Sequence, residues 1–137
     1  MKLTVYVFFL TLALVGGCGS PEPEVSPATV RGRVVLNGQP VAGGLVVFAP
    51  HPDRGGTGKV AYAETGSDGG YALRLEQATA IPPGWYRVAL APAPTVTPGP
   101  GPLFPAKLAR PDMSGIEREV KPGQQHVFEF VVEVPKD

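Results

Sequence analysis

The side chains able to do chemistry in this chain are few: one cysteine, Cys18, and two histidines, His51 and His126. A zinc site needs three or four nitrogen, sulfur or oxygen ligands at fitting spacing. His51-Pro52-Asp53 offers two such groups in a loop, and no Cys cluster or H-x-x-E-H pattern joins them. His51 therefore reads as a surface-loop histidine, and His126 as a residue at the start of a strand. Gly55-Gly56-Thr57-Gly58-Lys59 has part of a phosphate-binding loop, but that motif needs glycine at position 53 and Ser or Thr at 60. The chain has Asp53 and Val60 there, and no helix follows to hold an anion. Thr65-Gly66-Ser67-Asp68-Gly69 lacks the first glycine of a nucleophile elbow and sits in a hairpin turn. Asp68 is the turn residue whose carboxylate bonds nearby backbone amides. One carboxylate gathers too few oxygens for calcium. No catalytic residue, metal site or cofactor is expected, and the chain does not read as an enzyme.

Cys18 is different, because of what precedes it. Lys2 opens an apolar run from Leu3 to Val15, and Leu12-Ala13-Leu14-Val15-Gly16-Gly17 leads into the cysteine. That run is about half to two-thirds of the ~20 residues a membrane-spanning helix needs, so it reads as a signal peptide. The small Gly16 and Gly17 suit a peptidase cleaving before Cys18. The segment resembles the lipobox of bacterial lipoprotein precursors, with Val15 where leucine is commoner. The resemblance implies removal of residues 1–17 and a diacylglyceryl thioether on Cys18, usually with a further acyl group such as palmitate on its amine. Two or three chains hold a protein at a membrane almost permanently, whereas one C14 chain does so only marginally. Residue 19 is glycine rather than aspartate, which favours an outer over an inner membrane.

Composition bounds the remainder. Removing residues 1–17 of 137 leaves 120, one domain's worth. Without Lys2 the mature chain has 11 basic against 12 acidic residues and no block of like charge, so nucleic acid is not an implied partner. With a single cysteine the fold must stand without an internal disulfide. The 18 glycines and 17 prolines make up about a quarter of the chain. They fall mostly between apolar runs, as a turn-rich β protein requires.

Gly19–Pro27 reads as a proline-rich tether, whose nine residues span about 25–30 Å if extended. From Thr29 the apolar period becomes two. Val30, Gly32, Val34 and Leu36 alternate with Arg31, Arg33 and Val35, and Asn37-Gly38 is a strong turn signal. The connection continues through Gln39–Gly44 to an apolar strand at Leu45–Ala49. A loop at Pro50–Lys59 and a weaker strand at Val60–Thr65 follow. Tyr71–Leu75 is a strand with Tyr71, Leu73 and Leu75 on one face. After Ile81-Pro82-Pro83-Gly84, the strand Trp85–Leu90 points Tyr86, Val88 and Leu90 inward and Trp85 outward beside Arg87. Pro92–Pro105 reads as a flexible connection, Ile116–Val120 as an edge strand, and His126–Val134 as the closing strand with Phe128, Phe130, Val132 and Val134 on one face. Roughly seven short strands and no helical period argue for a β-sandwich.

Val34-Val35-Leu36-Asn37-Gly38-Gln39-Pro40-Val41, with Gly44 and Val47-Phe48, resembles the opening of bacterial carboxypeptidase-regulatory-like domains. Thr65–Tyr71 is similar to their Asp-Gly hairpin, with Gly66 in place of its first aspartate, and Ile81–Val88 to their Pro-Pro-Gly strand entry. The stretch from Phe104 through Ser114-Gly115 to Gly123 is similar to an envelope-lipoprotein version. The resemblance covers about 105 residues. It implies an all-β, transthyretin-like (prealbumin-like) Greek-key sandwich over residues 29–137, after a signal peptide (1–17) and a lipidated tether (18–28). It also implies a non-catalytic binding or structural module. The hydroxyisourate hydrolases share that fold, but they end in Tyr-Arg-Gly-Ser, and this chain ends Val134-Pro135-Lys136-Asp137.

The expectation is thus a cell-envelope protein held to a membrane by lipid on Cys18, with an envelope protein or glycan as partner. One alternative is a polysaccharide-binding domain using exposed Trp85, since aromatic faces stack on sugars. Another is a small metal-dependent hydrolase built around His51.

Overall fold

The alternating runs become strands in a computed structural model that describes residues 28–56, 58–94 and 104–135. Eight strands form: β1 (Thr29–Leu36), β2 (Gln39–Pro40), β3 (Gly44–Pro50), β4 (Ala61–Glu64), β5 (Gly70–Ala72), β6 (Gly84–Pro92), β7 (Ile116–Val120) and β8 (Gln125–Val132). They make two sheets and an all-β sandwich. In the first, β1 is central: β8 runs parallel to it along one edge, and β5 and β2 share the other. The second is antiparallel in the order β4-β3-β6-β7. The sheets meet at a seam where Tyr62 of β4 and Arg74, just past β5, exchange backbone bonds of 3.1 Å each. That seam closes one side of the sandwich. Among the described residues it leaves β7 and β8 as the two edges of the other side.

Period-two patterning sets the core. Val30 and Val34 from β1, Val46 and Phe48 from β3, Tyr86, Val88 and Leu90 from β6, and Phe130 from β8 are all buried. Phe48 is the hub: its ring lies 5.8 Å from Tyr86 and 6.2 Å from both Phe128 and Phe130. Burying a side chain of this size stabilises by roughly 1.5–3 kcal/mol.

Turn chemistry fixes the register. Asn37 (φ 50°) and Gly38 (φ 79°) both have positive φ, as the tight turn between β1 and β2 requires. The Asn37 Oδ1 also accepts the Val134 N–H at 2.8 Å, pinning the chain beyond β8. Asp68 Oδ1 accepts the Gly70 N–H at 3.0 Å, the turn role its sequence context assigns it. Gly32 is needed for close approach, since a Cβ there would lie 1.9 Å from the Phe128 carbonyl oxygen.

Several elements differ from the sequence reading. The Gln39–Gly44 connection contains β2, because the tight turn folds two residues back onto β1. The strand read as Tyr71–Leu75 keeps only Gly70–Ala72 as β5, since beyond it the chain leaves β1 for the Tyr62 seam. Ala28, ahead of the expected start at Thr29, is fully buried and pairs with Ile81. Phe104, read as part of a flexible connection, packs against the core. It is followed by a turn of 3₁₀ helix at Ala106–Ala109 that buries Leu108. Residues 1–27 and 95–103 lie outside the described residues.

Tyr71 and Tyr86 donate their hydroxyls to the backbone oxygens of Phe128 and Pro82. Burial holds both phenols above their usual value of 10.0, with Arg118 partly offsetting the effect at Tyr71. The folded state therefore keeps these protons at a pH where the unfolded chain releases them. Stability is expected to be insensitive to these groups below about pH 9 and to fall as pH rises beyond about 10. Chemical denaturation at stepped pH checks this, and an unchanged midpoint from pH 9 to 11 would contradict it.

Candidate functional site

The outer face of the second sheet gathers the polar residues singled out in the sequence. His51 continues β3 beyond Pro50, its N–H bonded to the Trp85 carbonyl at 2.9 Å. It is 5 % exposed, which corrects its reading as a surface-loop residue. The physical reason is the chain that follows. Pro52–Arg54 makes one turn of 3₁₀ helix, Gly55 takes a left-handed conformation (φ 71°), and Gly56 returns its N–H to the His51 carbonyl at 2.8 Å. The loop folds back over the imidazole. A Cβ on Gly56 would sit 2.4 Å from the His51 backbone nitrogen, so only glycine fits.

Both imidazole nitrogens are committed. Nδ1 accepts the Asp53 N–H at 3.2 Å, capping the 3₁₀ turn. That bond assigns the proton to Nε2, which donates to Glu117 Oε1 on β7 at 2.8 Å. With no lone pair free, this imidazole is a structural brace joining the end of β3 to β7 across β6. Arg54 Nη2 approaches the other Glu117 oxygen at 3.6 Å, and Arg87 donates to exposed Asp53 at 3.2 Å. Among the described residues no group of three or more His, Cys, Asp or Glu side chains is placed to hold a metal ion.

Trp85 faces outward, as its alternation with Tyr86 predicts, and is half-buried. The Arg54 guanidinium carbon lies 4.2 Å from the indole centroid, a cation–π contact over one ring face. His126 begins β8. Its Nε2 accepts the Lys121 N–H at 2.9 Å, and its ring stacks on Phe128 at 5.3 Å. The stretch Gly55–Lys59 leads into β4 rather than a helix. Cys18 lies outside the described residues. Thus Trp85, Arg54 and His51 come together, while His126 stands apart on β8.

A feature the sequence reading missed lies on the outer face of the first sheet. Gly70 and Ala72 leave an open concavity of about 690 Å³ beside Arg31 and Arg33, with Glu64, Asp68 and Glu129 also on its rim. Its signal was present in the sequence: small residues on β5 opposite the two outward arginines of β1. Two cations and three carboxylates largely neutralise one another there, and the basin is shallow.

Against family models, curated protein sequences and solved structures, the chain finds no match.

The brace has a measurable consequence. His51→Ala removes both hydrogen bonds, and with them the link from the end of β3 to β7, each bond being worth about 0.5–1.5 kcal/mol. Thermal denaturation should show a clear drop in midpoint. An unaltered midpoint would mean that the imidazole carries no structural load.

Proposed function

We propose that this chain is a lipid-anchored cell-envelope protein whose β-sandwich is a non-catalytic binding or structural module. The observation that carries the proposal is Cys18, placed behind a short apolar run and two glycines. It stands ten positions ahead of Ala28, a buried residue of the sandwich. Acyl chains on Cys18 hold the module at a membrane without crossing it, the outer membrane being favoured over the inner by Gly19. In support of a non-catalytic role, His51, around which the hydrolase alternative is built, has both ring nitrogens engaged.

The reading includes a carboxypeptidase-regulatory-like domain with a transthyretin-like Greek-key arrangement. Two observations support it. The motifs behind the resemblance fall at turns or strand entries: Asn37-Gly38, Asp68-Gly69-Gly70, Pro82-Pro83-Gly84 and Pro122-Gly123. In addition, β3 pairs with β4, β4 meets the end of β5 at the seam, and β6 returns beside β3. A fourth strand returning beside the first supports the Greek-key reading.

The alternative, a polysaccharide-binding domain, draws on Trp85. A sugar ring stacking on the indole has to displace Arg54 from its face, or use the guanidinium as a hydrogen-bond donor beside it. On this reading Trp85→Ala abolishes retention on immobilised envelope polysaccharide and leaves the thermal midpoint nearly unchanged. Equal retention of both proteins removes the alternative.

The anchor is tested by intact-mass analysis of the protein extracted from its native membrane. The expected mass is that of a chain starting at Cys18 with a diacylglyceryl group and an N-acyl chain. Cys18→Ser should abolish membrane retention. A free thiol at Cys18, or a mature start elsewhere, refutes the proposal.

A further inference from the structure

Three features meet at edge strand β8 on the open side of the sandwich. First, β1 takes the backbone groups of alternate β8 residues, beginning with the Gln124 carbonyl and ending with the Val132 carbonyl. The N–H and C=O groups of Val127, Glu129 and Val131 therefore point away from β1, and no described backbone group bonds them. Second, Val127 and Val131 are 61 % and 63 % exposed, the most exposed large apolar side chains among the described residues. Both stand on the outer face of this free edge, two residues either side of Glu129.

The third feature is Arg118. It pairs with Tyr86 in the β7–β6 ladder and so faces into the sandwich, beside the free edge of β8. Its guanidinium carbon lies 5.2 Å from the Phe130 ring centroid and 5.9 Å from that of Phe128. One hydrogen bond is made, to the Glu117 carbonyl at 2.7 Å. No carboxylate lies within 4.0 Å of it among the described residues. Among the described residues this half-buried guanidinium lies against two rings with no carboxylate paired to it.

We infer that the free edge of β8 takes up an extended segment of a partner protein as an added strand, with a carboxylate of that segment pairing with Arg118. The geometry sets the sequence of the segment. Residues on its outer side lie next to Val127 and Val131 and are apolar. The residue on its inner side, level with Phe128 and Phe130, is Asp or Glu. Main-chain bonds to 127, 129 and 131 supply affinity, and the buried charge pair supplies selectivity. A second copy of β8 fits poorly. Antiparallel pairing centred on Glu129 sets that carboxylate against its own copy and brings no counter-charge to either Arg118. An inward charge at an edge ordinarily repels strands. Here the same charge admits one kind of strand, an acidic one.

This assigns a surface to the module proposed above and rests on that reading only for the existence of a partner. The experiment does not involve Cys18, so the anchor and the edge site fail independently. Two synthetic strand peptides are titrated against the purified full chain: one alternating valine and threonine with a central aspartate, the other identical but for asparagine. The aspartate peptide should bind about tenfold more tightly. In amide hydrogen exchange it should slow Val127, Glu129 and Val131. Arg118→Gln should erase the difference between the peptides. Because the comparison between peptides uses the unaltered chain, it stands whether or not that variant folds. Equal affinity for both peptides, protection confined to other strands, or self-association through β8 that peptide does not displace would each overturn the inference.

Discussion

Everything in the first sheet converges on the Phe128 carbonyl. It accepts the Tyr71 hydroxyl at 2.8 Å across the bare Cα of Gly32, where a Cβ would approach it to 1.9 Å. One oxygen thus ties β8, β1 and β5 together, because Tyr71 belongs to β5 and Gly32 to β1. The arrangement also explains how the parallel β1–β8 pair survives in an otherwise antiparallel fold. Parallel pairing is slightly weaker per residue, and here it extends over eight registered pairs. A side-chain hydrogen bond from the far side of β1 reinforces it. The aromatic cluster around Phe48 then locks the second sheet onto this frame.

The two sides of the sandwich are held by different physics. On the seam side, backbone bonds between Tyr62 and Arg74 join the sheets, so no edge is left between them there. On the open side, the sheets are covered by side chains. Ser114 donates to the Val88 carbonyl, Leu108 and Phe104 pack with the core, and Arg118 lies against the rings of Phe128 and Phe130. The His51 brace belongs to this side too, because Glu117 sits on β7 next to Arg118. One short strand therefore carries a carboxylate holding the outer face and a guanidinium covering the inner one.

Much of the fold was legible because burial in a two-layer sandwich follows alternation. Tyr86, Val88 and Leu90 point inward and Trp85 outward, as their spacing implied. Asn37-Gly38 and Asp68 take their turn roles because those roles depend on two or three consecutive residues. His51 was not legible. Its burial comes from Gly56 closing a loop over it and from Glu117, distant in sequence, meeting its ring. The position of Arg118 was hidden for a similar reason. In Ile116-Glu117-Arg118-Glu119-Val120 alternation puts Arg118 on the apolar face, but only the register with Tyr86 shows what it meets there. The cysteine motif is the opposite case. Its meaning is carried wholly by local sequence, and the described residues begin after it.

An inward arginine on β7 would be costly if it were fully enclosed, because a desolvated guanidinium without a partner is strongly unfavourable. Its partial exposure lowers that cost and leaves the charge available. The same exposure leaves Phe128 half-covered beside a margin of β8 that no described strand pairs, flanked by two valines. Replacing Arg118 by an apolar residue would close the core more completely. It would also turn β8 into an undiscriminating apolar edge, the type that invites aggregation. The arginine therefore reconciles two demands on one margin, keeping it soluble when empty and selective when filled.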